Sequence, residues 1–221
     1  ALSDFGALRN RAMTDQFEPG STIKAFTAVA ALESGYTPDT VVDTSPGRIR
    51  VGRDYVNDRG RDYGELSLEQ VLVKSSNVGT SRISLDIGHE PLRDVLQRVG
   101  FGEGTATGFP GEQAGTLPNH RVWHDIEVAT LSFGYGLSTS TLKLAQAYSV
   151  LANDGVRRPV TLLKDGGGMP VAEYEQQVID PAVVRQVRSI LEAVVDPERG
   201  GSEAANVPHY SVAGKTGTAR V

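Results

Sequence analysis

Apolar residues run almost without interruption from Ala25 to Leu32, and the run stops at Glu33-Ser34-Gly35. A helix over about residues 21–34 fits this pattern, because Gly35 stands where a helix C-terminus favours positive φ. The first twenty residues end in Phe17-Glu18-Pro19-Gly20 and read as loop. Residues 36–64 are rich in Gly, Asp, Arg and Pro, and only Arg48-Ile49-Arg50-Val51 alternates as a small strand does. Ser67 and Gln70 have capping-box spacing for a short helix ending near Ser75. Helices are also predicted over residues 78–87, over 91–99 before Gly100, and over 142–152 before Asn153-Asp154-Gly155. Another runs to about residue 195, with Asp180 as cap and Pro181 at its first position. Residues 101–120 read as loop and 164–170 as a flexible connection. Residues 210–220 surround Gly-Lys-Thr-Gly with β-compatible types and are predicted to form a strand. No repeat or heptad breaks this picture. It describes a helix-rich α+β chain with too few strands for its last one to pair with.

Composition narrows the class. Of 221 residues, 39% are hydrophobic and 22% charged, which suits a folded globular chain rather than a disordered one. A net charge of -5 without a Lys/Arg block argues against a nucleic-acid partner. The absence of cysteine excludes disulfides, thiolate metal sites and a cysteine nucleophile, but leaves the compartment open. The apolar run is far too short to cross a bilayer. With no initiator Met, the chain is expected to be a fragment.

Three short motifs carry candidate chemistry. In Ser21-Thr22-Ile23-Lys24, residues three apart share a helix face, so Lys24 falls beside the Ser21 hydroxyl. A neutral lysine, its pKa lowered by burial or nearby positive charge, is a base able to activate that hydroxyl. Alone, the same four residues also describe an ordinary capped helix. Ser75-Ser76-Asn77 offers Ser75 as a proton relay and Asn77 as an amide ligand, although it equally resembles a turn. In Lys215-Thr216-Gly217-Thr218, the lysine and the two hydroxyls suit a carboxylate, and Gly217 admits close backbone approach. The Thr218 and Ser21 N–H groups together would suit a developing oxyanion.

In this order the motifs form the S-x-x-K, S-x-N, K-T-G set of penicillin-binding proteins and class A β-lactamases. Residues 9–24 (RNRAMTDQFEPGSTIK), 117–155 and 212–220 (VAGKTGTAR) resemble division-specific class B penicillin-binding proteins of Gram-negative bacteria. The resemblance implies the serine transpeptidase/β-lactamase-like fold, with several strands of its central sheet missing here. It implies one transpeptidase domain over residues 1–221, incomplete at both ends, without membrane anchor or pedestal domain. By position, Ser21 would be the acylated nucleophile, Lys24 its base, and Ser75 and Asn77 the relay and amide ligand. Lys215, Thr216, Gly217 and Thr218 would take the terminal carboxylate. The reaction would be peptidoglycan D,D-transpeptidation in septal wall synthesis, with no metal or cofactor. A stem ending in D-Ala-D-Ala would be the donor, an amine of a neighbouring stem the acceptor, and β-lactams would trap the serine. The full-length protein would sit anchored at the periplasmic face of the inner membrane with division-machinery partners.

Other readings of the same residues carry different expectations. A β-lactamase of class A would need a Glu-x-x-Leu-Asn motif to activate water, and none occurs. A β-lactam sensor domain would acylate at Ser21 without turnover. Gly214-Lys215-Thr216 mimics the end of a phosphate-binding loop, but His209 stands where that loop needs glycine. His120 and His124, spaced four apart, have no third ligand in view and read as packing or surface residues. Tyr135 either walls a cleft or packs in the core. Arg220 either adds positive potential beside the K-T-G segment or is simply solvated.

Overall fold

The apolar run becomes a central helix, α2 (Lys24–Glu33), in which every side chain from Lys24 to Leu32 is buried. A helix apolar on all sides must be surrounded, and this one is. In the computed structural model, which describes residues 9–163, 174–199, 201, 205 and 207–218, four helices pack on it. They are α3 (Leu68–Val73), α4 (Asn77–Ile87), α5 (His89–Arg98) and, further along, α8 (Pro181–Val195). One core unites them, from Phe26 and Leu72 to Leu96, Val187 and Ile190. Phe26 meets Phe101 and Tyr148 edge-on, with ring centroids 5.6 and 5.4 Å apart. Gly35 closes α2 at φ +95°.

The other elements are short. α1 (Arg11–Thr14) interrupts the expected N-terminal loop, and α6 (Asp125–Leu131) and α7 (Thr141–Ala152) follow the long 101–120 loop. Three two-stranded antiparallel sheets complete the described residues: β1 (Val41–Asp43) with β4 (Glu65–Ser67), β2 (Arg48–Val51) with β3 (Asp54–Asn57), and β5 (Val156–Arg157) with β6 (Gln176–Gln177). Val42 faces Leu66 and Ile49 faces Val56 across the first two.

Two further expectations change. Residues 21–34 are not one α-helix: Gly20–Ile23 form a 3₁₀ turn, and the α-helix starts at Lys24. Gly20, at φ +58°, sets the tight entry. Residues 211–218 also form no strand, because no neighbouring segment among the described residues pairs with them. β-Compatible residues need a partner to become a ladder. Arg220, the end of the expected strand and the 164–170 connection lie outside the described residues. The capping box survives intact: Ser67 Oγ accepts from Gln70 N, and Gln70 Oε1 accepts from Ser67 N at 3.0 Å.

Candidate active site

The serine lies on a turn held from several sides. Thr22 Oγ1 donates to Pro19 O at 2.9 Å within the turn, and Tyr148 OH donates to Thr22 O at 2.7 Å from α7. The loop after α6 forms a cradle: Gly20 N donates to Gly134 O (3.1 Å), and Gly136 N donates to the Glu18 carboxylate (2.9 Å). Phe17 and Thr139 exchange backbone hydrogen bonds of 3.0 Å. Glycine is required here by space as well as by φ. At Gly134, φ is +87°, and an added Cβ would stand 2.0 Å from Gly20 O. Gly134→Ala is expected to cost at least about 2 kcal/mol, seen as a melting point lower by about 4–8 °C. An unchanged melting point would contradict this cradle.

Lys24 opens α2 one turn beyond Ser21, and its side chain is fully buried. Its Nζ lies 2.7 Å from Ser75 O, 2.7 Å from Asn77 Oδ1 and 3.3 Å from Ser75 Oγ. Burial pushes the Lys24 pKa well below its ordinary value, and the positive charges of Lys215 and Arg59 push the same way, against Asp58. A neutral amine keeps two donors, for Ser75 O and Asn77 Oδ1, and one lone pair.

Ser75 and Asn77 reach this position because the chain turns sharply between α3 and α4. Ser75 has φ +54°, a left-handed conformation sparsely populated by non-glycine residues. Ser76 caps α4: its Oγ accepts from Gly79 N at 2.8 Å and donates to Asp58 Oδ2 at 2.5 Å. The other Asp58 oxygen accepts from Asn77 N (2.5 Å) and Val78 N (3.0 Å). Asp58 therefore fixes the start of α4 and, with it, Asn77. Sequence reasoning missed both Asp58 and Tyr148. Asp58 lies eighteen residues from Ser76, and no local spacing links them.

The 215–218 segment completes the constellation. An added Cβ at Gly217 would meet Thr22 Cγ2 at 2.8 Å and Pro19 O at 3.0 Å, and one at Gly20 would meet Thr218 O at 2.4 Å. The final segment thus lies directly on the serine turn. Lys215 is half-buried, its Nζ 3.3 Å from Thr216 O and 3.4 Å from Thr216 Oγ1, and burial lowers its pKa to about 8. A cleft of about 310 Å³ is lined by Ser21, Ser75, Asn77, Thr216, Gly217 and Thr218, with Tyr135 forming part of its wall. Of the eight sequence candidates, Lys24 and Lys215 are the two that do not line it. Both are still coupled to it: Lys24 through Ser75 and Asn77, and Lys215 through its charge on Lys24.

The histidines have other roles. His120 Nε2 lies 3.3 Å from Glu127, its ring rests 4.6 Å from that of Trp123, and His124 caps α6.

Comparison with known proteins follows the same outline. Residues 2–221 match the family described as "Penicillin binding protein transpeptidase domain". The chain is 45% identical over 214 residues to "Probable peptidoglycan D,D-transpeptidase PbpC" of Pseudomonas aeruginosa, spanning 96% of this chain and 37% of that protein. It is 41% identical to "Peptidoglycan D,D-transpeptidase FtsI" of Escherichia coli, spanning 97% and 35%. The transpeptidase domain of Burkholderia pseudomallei penicillin-binding protein 3 superposes with a TM-score of 0.86 at 40% identity, spanning 96% of this chain and 63% of that one. The chain thus covers little more than a third of the length of these curated relatives.

Proposed function

This chain belongs to the penicillin-binding protein transpeptidase family, and from that premise we propose that it carries the catalytic site of a peptidoglycan D,D-transpeptidase acting through Ser21. The observation that carries the proposal is the convergence of three distant segments. The serine turn, the Ser75 and Asn77 that hold the buried Lys24, and the 216–218 segment meet at one cleft.

In the proposed reaction, a stem ending in D-Ala-D-Ala enters with its terminal carboxylate against Lys215, Thr216 and Thr218. Neutral Lys24 takes the Ser21 proton as Oγ attacks the penultimate carbonyl carbon. The N–H groups of Ser21 and Thr218 receive the oxyanion. Ser75 passes the proton to the departing amine, the C–N bond breaks, and the last D-Ala leaves behind a serine ester. An amine of a neighbouring stem then attacks that ester, its excess proton returns through Lys24 to Ser21 Oγ, and the cross-link is released. Asn77 orients the donor amide. A β-lactam opens on the same serine.

The names of the relatives support a role in wall synthesis, and the resemblance of residues 9–24, 117–155 and 212–220 to division-specific proteins extends it to septation. We place the complete protein at the periplasmic face of the inner membrane, anchored, with division-machinery partners and further domains outside these residues. The functional test is cross-linking of donor and acceptor stems by the complete protein. Hydrolysis of β-lactam with no cross-linking would favour a β-lactamase, and acylation with no turnover of either would favour a sensor.

The charges give a pH dependence. Lys24 must be neutral to act, so acylation falls as pH drops through its lowered pKa. Lys215 must be charged to hold the carboxylate, so acylation also falls above about 8. Lys215→Gln removes one charge that depresses Lys24. Its acidic limb is expected at higher pH than that of the wild type, with the alkaline limb lost. An acidic limb that stays in place in a pH series of penicillin acylation would contradict this coupling.

A further inference from the structure

Asp58 brings more to the cleft than a helix cap requires. It follows directly after β3 and is only 6% exposed. The β2–β3 hairpin delivers it on a firm base: Val51 and Val56 pack with Ala129 and Phe133, and Asp58 N donates to Gly47 O at 2.9 Å. Its two oxygens take the Ser76 hydroxyl and the first two N–H groups of α4. A carboxylate is favoured at that end of a helix. Yet Ser76 already caps α4 through Gly79 N, and a neutral amide oxygen can accept from the other two groups. The cap alone does not call for a buried charge.

Asn77 connects Asp58 to the base. Its N–H donates to Asp58 Oδ1, and its Oδ1 accepts from Lys24 Nζ at 2.7 Å. Its Nδ2 donates to Asn57 O at 3.5 Å, so the hairpin holds this residue by backbone and side chain alike. Charged groups from two segments act on Lys24. Lys215, in the final segment, and Arg59, in the loop after β3, oppose a positive charge on it, whereas Asp58 favours one. The balance bears on the chemistry. A lysine kept neutral by disfavouring its ammonium is also a weaker base, and it must become an ammonium when it takes the Ser21 proton. Burial and two cations push against that ammonium, and a carboxylate across Asn77 restores part of its stability.

We propose that Asp58 is a positioning residue for acylation: through the start of α4 it sets Asn77 and Ser75 on Lys24, and its negative charge supports the ammonium that forms there. Asp58 borders the cleft, but its oxygens are spent on α4, so it acts through Lys24 and Asn77 rather than on the substrate. The inference rests on the transpeptidase reading and adds to it a residue outside the three motifs.

The test follows penicillin acylation of the complete protein against pH, with thermal melts so that rates refer to folded molecules. Asp58→Asn keeps the size of the side chain and an oxygen for the two N–H groups, and removes the charge. Between its pH limits this variant is expected to acylate about 10–100-fold more slowly than wild type. Its acidic limb is expected about one pH unit lower, because Lys24 stays neutral further into acid. That shift is opposite to the one expected for Lys215→Gln. Asp58→Ser, a smaller neutral acceptor, carries the same two expectations and serves if the amide variant does not fold. Asp58→Glu, which keeps the charge, is expected to leave the acidic limb near that of wild type. An unchanged maximal rate in the neutral variants, or an acidic limb that stays in place or rises, would overturn the inference and leave Asp58 a cap. A limb that moved in Asp58→Glu as far as in Asp58→Asn would overturn it too. Absence of penicillin labelling in the wild type would instead overturn the transpeptidase reading, and this inference with it.

Discussion

Ser21→Ala abolishes covalent labelling by a fluorescent penicillin in the complete protein, while its melting point stays close to that of the wild type. The reason is local. Ser21 lines the cleft on a turn set by Gly20 and braced by Tyr148 and Gly134, and removing one hydroxyl leaves those braces in place. The reactive strained amide of a β-lactam then meets no activated oxygen. Thr22, next in the turn, spends its hydroxyl on Pro19 O and is no substitute. Labelling that survived the change would mean that the nucleophile is another residue, and the mechanism would end there.

Lys24→Ala is expected to slow acylation by at least the ~10²–10⁴-fold of a lost general base. The burial that lowers its pKa favours the neutral amine, the form able to act as a base. The change also strips Ser75 O and Asn77 Oδ1 of a donor, so some destabilisation will accompany it. Rates must therefore be compared per folded molecule, with thermal melts alongside. A small primary amine added to the buffer should restore part of the rate if the missing function is proton transfer. A rate unchanged by the substitution would remove Lys24 from that role.

Much of this site was legible along the chain, in uneven ways. The burial of α2 follows from its unbroken apolar run, and the Ser67–Gln70 capping box and the Asp180-Pro181 start of α8 declared themselves through local chemistry. The motif residues were recognisable because their order restricts the possibilities more than any one of them does. What stayed hidden depends on tertiary contact. Asp58 holds Ser76 and Asn77 from eighteen and nineteen residues away, and Tyr148 reaches back to Thr22 across more than a hundred. The strands β1 and β4 are three residues each, too short for alternation to register, and they exist only as a pair. The left-handed conformation of Ser75 is imposed by its surroundings, since serine has no intrinsic preference for it. The strand expected over residues 210–220 is absent from 210–218 for the converse reason: those residues suit a ladder, but none of the described residues pairs with them.

The central claim is that an uncharged amine, a hydroxyl and a carboxylate clamp from three separate stretches act at a single point. Peptide mapping by mass spectrometry after penicillin treatment of the complete protein tests it most directly. The expected result is one adduct per molecule, on the peptide containing Ser21 and on that residue. An adduct on any other residue, or an unmodified Ser21 in a folded sample, would contradict it.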